Sequence, residues 1–377
     1  MLKLPGKLTV EAFLSDYWQE RSLCMPGGLP RIRPAITRNE LGWLATLDDV
    51  ESRIVFTDRI DGHCRYRAET GPFDPAYLQN LPKRDWTLLV HDVEKHLPAM
   101  RAWFTHVPFI PDWRIDDLMV SFAAPGGSVG PHKDHYDVFL CQGIGVRRWR
   151  HTANEISPDP SASNDLALLT EFGGDDQWDM SEGDVLYLPP GVAHWGTAIR
   201  ACITYSIGMR APQIGDLSHA LNSETPNDNH FYRDSDLQVS ESKHGYLSNA
   251  AATRATQLLH LNTNRHDEVG VALGRFATQT KDWLKPDEVT AAGAEAALLH
   301  FQRGRRLKIH GMSQIAFDDR NLYVNGSDRP LPPSLVDTIE KICRKRFLQQ
   351  SIEDGAERIE ILRWMLKHGA FEIPENS

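Results

Sequence analysis

The pattern of apolar and polar positions changes twice along the chain. Near the start, apolar residues recur at helical spacing and Thr9 stands where an N-cap is expected, so we predict an amphipathic helix over 10–18. From residue 26 to about residue 211, short apolar or alternating runs are separated by Gly and Pro, which is typical of a sandwich or barrel of many short strands. The clearest of these runs are 118–123, 136–142, 146–151, 184–188 and 203–208.

The strand pattern stops after residue 212. Ala- and Leu-rich stretches at 249–261 and 290–301 predict helices whose task is packing, between domains or between subunits. We therefore predict three domains: residues 1–212, a helical region over 213–300, and a C-terminal module over 301–377.

The C-terminal module has its own pattern. Short strands are predicted at 307–310, 314–317 and 321–324, with a turn at Asn325-Gly326. Two helices follow, the first capped by Ser334 with Asp337 and the second opened by Asp354 and Glu357. This order of elements is compatible with a winged helix.

Composition places the chain among globular proteins and argues against some partners. With 377 residues, 41% hydrophobic and 24% charged, it can bury a sizeable core. The 41 Lys+Arg against 51 Asp+Glu give a net charge of −10, and residues 301–377 hold 13 basic and 11 acidic residues, a balance of only +2. Nucleic acid is therefore not expected as a partner, since nucleic-acid binders present a strongly basic face.

Cysteine usage and hydropathy indicate the compartment. Five cysteines without CxxC spacing suit neither a disulfide framework nor a zinc ribbon, and no run approaches the ~20 apolar residues of a membrane span. We expect a cytoplasmic protein without a membrane anchor.

Two segments carry the residues of a metal site. Gly130-Pro131 precedes His132 and Asp134, which a strand would place on one face together with Tyr136, while His135 points the other way. A second segment, an apolar strand that ends in Pro189-Pro190-Gly191, delivers His194. Two histidines and one carboxylate with open coordination positions form the facial triad of non-haem Fe(II) oxygenases. Either half alone is weak evidence, and strand parity makes His135 the poorer ligand.

Such an iron requires a chelating co-substrate, and 2-oxoglutarate is the one that leaves a second carboxylate for the protein to hold. Arg147, which begins the strand after Asp134, has the planar fork that matches a carboxylate. Ser121, Thr204 and Ser206 are hydroxyl donors that would complete the clamp. Without the metal pattern, a surface Arg and ordinary strand Ser/Thr would be the simpler interpretation.

Asp117 shares strand parity with Ser121 and would line the same cavity. A carboxylate beside an aromatic ring, here Asp117 and Tyr136, suits a cationic side chain. An alternative of equal weight is that Asp117 caps a turn after Arg114.

These residues carry a resemblance to a known family. The segments are Trp113-Arg114-Ile115-Asp116-Asp117-Leu118, Pro125-Gly126-Gly127, Gly130-Pro131-His132-Lys133-Asp134, Tyr136-Asp137-Val138-Phe139, Gln142-Gly143, Arg147-Arg148-Trp149-Arg150 and Tyr187-Leu188-Pro189-Pro190-Gly191. Over residues 8–212 the chain resembles the bacterial ribosomal oxygenases, which are JmjC-type 2-oxoglutarate oxygenases. The resemblance implies an α+β fold: a double-stranded β-helix (the cupin/JmjC jelly roll), then a helical dimerisation region, then a winged helix.

The resemblance also implies an activity. Fe(II) would be held by His132, Asp134 and His194, and 2-oxoglutarate by Arg147 and Ser121, with O₂ as the other co-substrate. We add Thr204 to the residues that bind 2-oxoglutarate from its place on a neighbouring strand. The substrate of bacterial members is an arginine of large-subunit ribosomal protein sixteen, hydroxylated at Cβ; eukaryotic relatives hydroxylate histidines, which is the alternative here. Asp117, Tyr136 and Ser206 would form the guanidinium pocket, and a homodimer is expected.

Two other functions compete with this one. The first is a cupin-type sensor joined to a winged-helix DNA reader, without turnover. Its basic cluster, Lys341 and residues 344–346, is explained equally well as a solvated helix end that complements the helix dipole. The second is a histone-type demethylase on the same JmjC core, against which the absence of nuclear-type basic tracts argues.

Overall fold

The structure is a computed structural model that describes residues 1–159, 167–221, 230–260, 265–287, 289–349 and 355–373. The chain divides into two compact units. The first comprises Met1–Pro108, Ile115–Met209 and Ser235–Leu237, and the second comprises Phe109–Arg114, Arg210–Asp234 and Gln238–Ser377. Within the described residues, no helix combines the length and the apolar character needed to cross a membrane.

The first unit is mainly β-structure. Its α-helices are α1 (Val10–Asp16), α2 (Arg38–Leu44), α3 (Pro75–Gln79) and α4 (Val93–His96), and a 3₁₀ helix spans Pro98–His106. Its strands are β1 (Leu23–Met25), β2 (Ser52–Ile60), β3 (His63–Thr70), β4 (Trp86–Val90), β5 (Ile115–Ala123), β6 (Val138–Gln142), β7 (Val146–Thr152), β8 (Asp176–Ser181), β9 (Val185–Leu188), β10 (Ala193–Ala198) and β11 (Cys202–Met209).

These strands form two antiparallel sheets that face each other. The larger has the order β1-β9-β6-β11-β5-β4-β2-β3 and the smaller the order β10-β7-β8. Strands from both contribute to one apolar cluster, whose buried members are Val138, Leu140, Trp149, Met180, Leu186 and Leu188. Because side chains alternate along a strand, β5, β7, β10 and β11 each present one row of residues to the space between the sheets.

The opposite face of the larger sheet is covered by α1. Thr9 caps this helix by accepting a hydrogen bond from the Ala12 amide (3.2 Å). The Phe13 ring packs 6.0 Å from Phe139 and 5.1 Å from Tyr187, measured between ring centroids. The N-terminal helix predicted from the apolar spacing is confirmed, although it ends at Asp16.

The five predicted strand runs appear as β5, β6, β7, β9 and β11. Sequence reasoning missed β1, β2, β3, β4 and β8. The edge strand β3 alternates exposed and half-buried positions and carries Arg65, Arg67 and Glu69, so it lacks a strong apolar signal.

One prediction about a strand is wrong. Residues 133–137 have no strand structure, and His132 makes only an isolated bridge to His194; regular pairing begins at Val138. Strand parity therefore does not explain the orientation of His132, Asp134 and Tyr136.

The second unit is mainly helical. Its α-helices are α5 (Ile214–Ala220), α6 (Asn249–Leu258), α7 (His266–Thr278), α8 (Ala291–Gln302), α9 (Val336–Lys345) and α10 (Ala356–Lys367), with 3₁₀ turns at Asp112–Arg114, Val239–Glu241, Asp282–Leu284 and Pro333–Leu335. Its strands are β12 (Leu307–Lys308), β13 (Ile315–Phe317), β14 (Asn321–Val324), β15 (Ser327–Pro330) and β16 (Phe347–Leu348). The helices predicted at 249–261 and 290–301 are α6 and α8.

Two apolar clusters stabilise this unit. Residues of α5, α6 and α7 form one around Leu217, Ala255 and Leu273. In the other, Phe301 of α8 packs in one cluster with residues of β12, β13, β14 and β16 and with helices α9 and α10. The helix α8, assigned from sequence to the helical region, thus shares its core with the segment after residue 301, and the three-domain division stays a prediction.

The predicted cap of the penultimate helix is also wrong. Helix α9 begins at Val336, its N-cap is Leu335, and the Ser334 hydroxyl instead donates to Glu357 Oε2 (2.8 Å). Asp354, which was expected to open the last helix, lies outside the described residues, and Gly355 occupies the N-cap of α10.

Candidate metal centre

Two histidines from distant parts of the chain are joined through their backbones. The His132 amide donates to the His194 carbonyl (3.0 Å), and the His194 amide donates to the His132 carbonyl (2.8 Å). This bridge brings the two imidazole centroids to 4.2 Å. Backbone pairing therefore sets the spacing of these two residues.

Each ring is oriented in the same way. His132 Nδ1 lies 3.0 Å from the Gly130 carbonyl, and His194 Nδ1 lies 3.0 Å from the Val192 carbonyl. A carbonyl accepts a hydrogen bond only from a protonated nitrogen, so the proton of each ring is on Nδ1. The lone pair of Nε2 can then coordinate a metal. Burial, with a smaller effect from His132, lowers the pKa of His194 to about 4, so this ring is neutral at pH 7.

Asp134 completes the group. Its Oδ2 lies 3.6 Å from His194 Nε2, and its carbonyl accepts a hydrogen bond from the Gly191 amide (2.7 Å). Gly191 has φ of +85°, which a residue with a side chain rarely adopts. Glycine at this position therefore allows the Pro189-Pro190-Gly191 turn to hydrogen-bond to Asp134.

The donor atoms of His132, Asp134 and His194 all lie within 4.8 Å of one another. His194 is buried, whereas His132 and Asp134 are half-buried, so the group is open on one side. Two imidazoles, one carboxylate and no thiolate suit Fe(II) with open positions better than a closed zinc site. The exposed His135 does not belong to this group.

Arg147 lies on the inward row of β7. It is 2% exposed, its Nη1 donates to Ser121 Oγ at 3.4 Å, and its buried Nε has no hydrogen-bond partner. Burial lowers the pKa of this guanidinium. No carboxylate of the described residues forms a salt bridge with it. A buried cation in this state is costly unless an anion joins it.

Trp149 and Gly196 shape the space around Arg147, and sequence reasoning missed both. The guanidinium lies 4.8 Å from the Trp149 ring, which is 5.9 Å from the His194 ring. A Cβ at Gly196 would lie 2.7 Å from Arg147 Nε and 2.6 Å from Trp149 Cζ3. The signal available in the sequence was a glycine two residues after His194, inside a short strand.

The other predicted clamp residues lie on the larger sheet. Ser121 and Thr204 are directly paired between β5 and β11, so their side chains share a face. The structure brings Ser121 to Arg147, whereas the Thr204 hydroxyl donates to Gln142 Oε1 (3.2 Å). The role of Thr204 stays a prediction, and Gln142 is its observed partner.

Asp117 lies on the same face, opposite Gly208. Its Oδ2 accepts from the Asp92 amide (3.2 Å) and lies 3.2 Å from His91 Nδ1. Both partners belong to residues 91–92 and not to the segment after Arg114. The alternative that Asp117 caps a turn after Arg114 is therefore not supported by its hydrogen bonds. They fix one carboxylate oxygen, while Oδ1 lies 3.3 Å from the point where a Cβ of Gly208 would be.

Tyr136 and Ser206 are placed differently. Tyr136 is exposed, near the metal group, and the charge of Asp134 raises the pKa of its hydroxyl. Ser206 is buried on the inward row of β11, between Thr204 and Gly208. A Cβ at Gly208 would lie 3.9 Å from the Tyr136 ring, so Asp117, Gly208 and Tyr136 are neighbours.

Residues 102–217 match the family model of the JmjC domain. The chain is 35% identical over 246 residues to a probable ribosomal oxygenase of Haemophilus influenzae, covering 63% of this chain and 57% of that protein. It is 31% identical over 339 residues to the ribosomal protein uL16 3-hydroxylase of Escherichia coli, covering 86% of each.

A solved structure is also similar along almost its whole length. The ribosomal oxygenase YcfD of Escherichia coli, in complex with cobalt and 2-oxoglutarate, matches with a TM-score of 0.70 and 25% identity over 99% of both chains. The fold is accordingly a cupin/JmjC jelly roll accompanied by helices and smaller sheets. Since the likeness to the uL16 3-hydroxylase extends over 86% of both sequences, this chain belongs to the JmjC-type ribosomal oxygenase family.

Proposed function

We propose that this protein is an Fe(II)- and 2-oxoglutarate-dependent dioxygenase that hydroxylates Cβ of an arginine in a large-subunit ribosomal protein. Ribosomal protein uL16, the sixteenth of the large subunit, is the first candidate substrate. The name of the Escherichia coli relative and the 2-oxoglutarate complex of the similar structure support this assignment. A ribosomal protein substrate also supports a cytoplasmic location.

The observation that carries the proposal is the buried Arg147 guanidinium, which forms no salt bridge among the described residues. It lies on the Trp149 ring, which also approaches the ring of His194. A dicarboxylate that chelates a metal at His132, Asp134 and His194 would place its far carboxylate against this cation. Bidentate pairing of a guanidinium with a carboxylate is strong because both hydrogen bonds are charge-assisted.

The protein's part in the reaction follows from these contacts. His132, Asp134 and His194 would hold Fe(II), and Arg147 with Ser121 and Thr204 would hold the far carboxylate of 2-oxoglutarate. The bound iron would supply the activation of O₂, with one oxygen atom going to the substrate C–H and the other to succinate as CO₂ leaves 2-oxoglutarate. The protein supplies the orientation of the metal, the co-substrate and the substrate.

The substrate side chain would enter beside Asp117. With Oδ2 held by the Asp92 amide, the carboxylate presents Oδ1 toward Gly208 and Tyr136. A guanidinium would pair with this oxygen, pack on the Tyr136 ring and donate to Ser206. The pocket is therefore shaped for a cation, which favours arginine over histidine.

The remaining parts of the proposal concern organisation. The helical region over 213–300 would mediate a homodimer, and the segment over 301–377 would be a winged helix. The observed order α8-β12-β13-β14-β15-α9-β16-α10, with the β14–β15 hairpin turning at Asn325-Gly326, supports the second point.

The test compares two adjacent arginines of β7. Arg147→Met removes the buried cation, whereas Arg148→Met removes a half-buried one that pairs with Asp179 at 2.6 and 2.7 Å. Purified protein is incubated with Fe(II), 2-oxoglutarate, O₂ and uL16, and the products are succinate and uL16 heavier by one oxygen atom. We expect Arg147→Met to lose both products at ordinary 2-oxoglutarate concentration and Arg148→Met to keep them.

Other results would overturn the assignment. Wild-type protein that forms no oxygenated ribosomal protein would favour the sensor without turnover. Oxygen located on histidine would favour the histidyl hydroxylase, and loss of methyl groups from a methylated peptide would favour the demethylase. Equal activity of the two arginine variants would refute the role given to Arg147.

A further inference from the structure

The C-terminal part of the second unit contains two basic segments without acidic residues. Residues 302–317 include four Lys/Arg and no Asp or Glu, and residues 341–349 also include four Lys/Arg and no Asp or Glu. They are separated in sequence but joined by antiparallel pairing, with Leu307 opposite Leu348 and Lys308 opposite Phe347. The fold therefore concentrates charge that the sequence distributes over two segments.

Six of the seven exposed cations on these segments form what we call the basic patch: Arg303, Arg305, Arg306, Lys308, Arg344 and Lys345. Phe347 lies among them, half-buried. The Arg306 guanidinium is 4.9 Å and the Lys345 ammonium 6.0 Å from the centroid of its ring, and Arg306 Nε donates to Gln349 Oε1 at 3.0 Å. These contacts hold two of the cations in place.

The cations of the basic patch differ from other cations of this unit in their ion pairing. Among the residues that the structure describes, none of its six cations forms a salt bridge. Glu372 comes close through its backbone, since its amide donates to the Lys308 carbonyl (2.8 Å), but its carboxylate does not pair with the patch. Arg346 is left out because its guanidinium donates to the carbonyls of His310 and Ser313.

Arginines elsewhere in the same unit are placed differently. Many form ion pairs with carboxylates: Arg254–Glu241, Arg265–Glu268, Arg275–Asp328, Arg320–Asp267, Arg329–Glu360 and Arg363–Glu295. In a chain with a net charge of −10, acidic partners are plentiful. Like charges that are close together and unpaired repel each other, so their concentration around the β12–β16 pair indicates a polyanionic partner.

We propose that the basic patch binds the phosphate backbone of single-stranded RNA. Closely spaced phosphates are the anion that such a row of cations neutralises, with release of counterions. The choice of RNA rests on the proposed function, because a ribosomal protein substrate meets the enzyme near ribosomal RNA. The total of +2 over residues 301–377 does not predict such a partner, since it averages this patch with acidic faces of the same segment.

The experiment is a titration of fluorescein-labelled oligouridine with the full chain, followed by fluorescence anisotropy at several salt concentrations. The patch variant is Arg305→Gln/Arg306→Gln/Lys345→Gln. The control, Arg265→Gln/Lys285→Gln/Arg320→Gln, removes the same charge from residues of the same unit that pair with carboxylates. Circular dichroism and thermal unfolding confirm that both variants are folded.

We expect the patch variant to bind RNA about tenfold or more weakly and to lower the slope of log affinity against log salt by about 2. The control should stay within about threefold of wild type. No binding by wild type, or equal weakening of both variants, would overturn the proposal. The proposal would also be overturned if wild type bound phosphatidylglycerol vesicles more tightly than the patch variant did, while neither protein bound oligouridine.

Hydroxylation of the free ribosomal protein is measured on the same samples. The basic patch does not include any residue of the metal centre, so the patch variant should form product at the wild-type rate. Wild type that forms product but does not bind RNA would refute only the RNA site. Wild type that binds RNA through the patch but forms no product would refute only the proposed function.

Discussion

Replacing Gly196 with alanine should damage binding of 2-oxoglutarate while leaving the metal ligands in place. Gly196 lies on β10, two residues after His194 and opposite Trp149 of β7. The added Cβ would lie 2.7 Å from Arg147 Nε and 2.6–2.7 Å from two atoms of the Trp149 ring. The guanidinium or the indole must therefore move.

The size of the effect follows from these distances. Carbon atoms in normal contact are about 3.5–4.0 Å apart, so the neighbours must shift by about 1 Å. Overpacking of this kind costs about 1–3 kcal/mol of folding free energy. A shift of 1 Å also breaks one charge-assisted hydrogen bond to a carboxylate, worth about 1.5–3 kcal/mol. The KM for 2-oxoglutarate should therefore rise about 10- to 100-fold.

The assay is succinate formation with saturating ribosomal protein and increasing 2-oxoglutarate. Bound metal is measured separately by elemental analysis, because the spacing of His132 and His194 is set by backbone hydrogen bonds that the substitution leaves intact. Gly173→Ala is the matched control, since a Cβ at Gly173 would have no other atom within 4 Å.

Two results would refute the reasoning. If Gly196→Ala and Gly173→Ala had the same KM for 2-oxoglutarate, Arg147 would not hold this co-substrate in the observed orientation. If Gly196→Ala lost its metal but kept its affinity for 2-oxoglutarate, the substitution would act through His194 instead.

Gly208→Ala should raise the KM for the arginine substrate and leave the KM for 2-oxoglutarate unchanged. The reason is that the new methyl group lies 3.3 Å from Asp117 Oδ1. An unchanged KM for the arginine substrate would refute the proposed guanidinium pocket. Burial raises the pKa of Glu94 to about 7 from 4.5, so this group's contribution to stability falls by about 3 kcal/mol as pH rises from 4.5 to 7. Urea unfolding should show that the free energy of unfolding falls less between pH 5 and pH 8 in Glu94→Gln than in wild type. An equal fall in both proteins would contradict the raised pKa of Glu94. Arg114→Met should cost about 3–5 kcal/mol, measured by urea unfolding, because it leaves the buried Asp234 without its ion-pair partner; a loss below 1 kcal/mol would contradict this.

Much of the first unit was predictable because its strands follow the alternation rule. On β11, Ile203, Tyr205 and Ile207 alternate with small or polar residues, and this pattern identifies both the strand and its inward row. The edge strand β3 escaped prediction because its alternating positions are charged. Pattern recognition therefore fails where the alternating positions of an edge strand are charged.

The metal donors show the limits of local reasoning. His132 and Asp134 were identified from their spacing, but the argument from strand parity was wrong because residues 133–137 are irregular. Their orientation comes from hydrogen bonds to the chain around His194, with the Asp134 carbonyl held by the Gly191 amide. Such contacts join residues about 60 positions apart, so a local pattern does not contain them.

The sequence by itself determined the chemistry available to this protein: two histidines, one carboxylate and one arginine in the order of a known family, and strands with polar inward rows. Only the tertiary structure decided which cations are left without a counter-charge. Arg147 is buried between two sheets without a salt bridge to any carboxylate of the described residues, and the basic patch arises where β12 pairs with β16. The physical reason is that electrostatic pairing depends on distance in space, which the pairing of remote strands sets and local sequence does not.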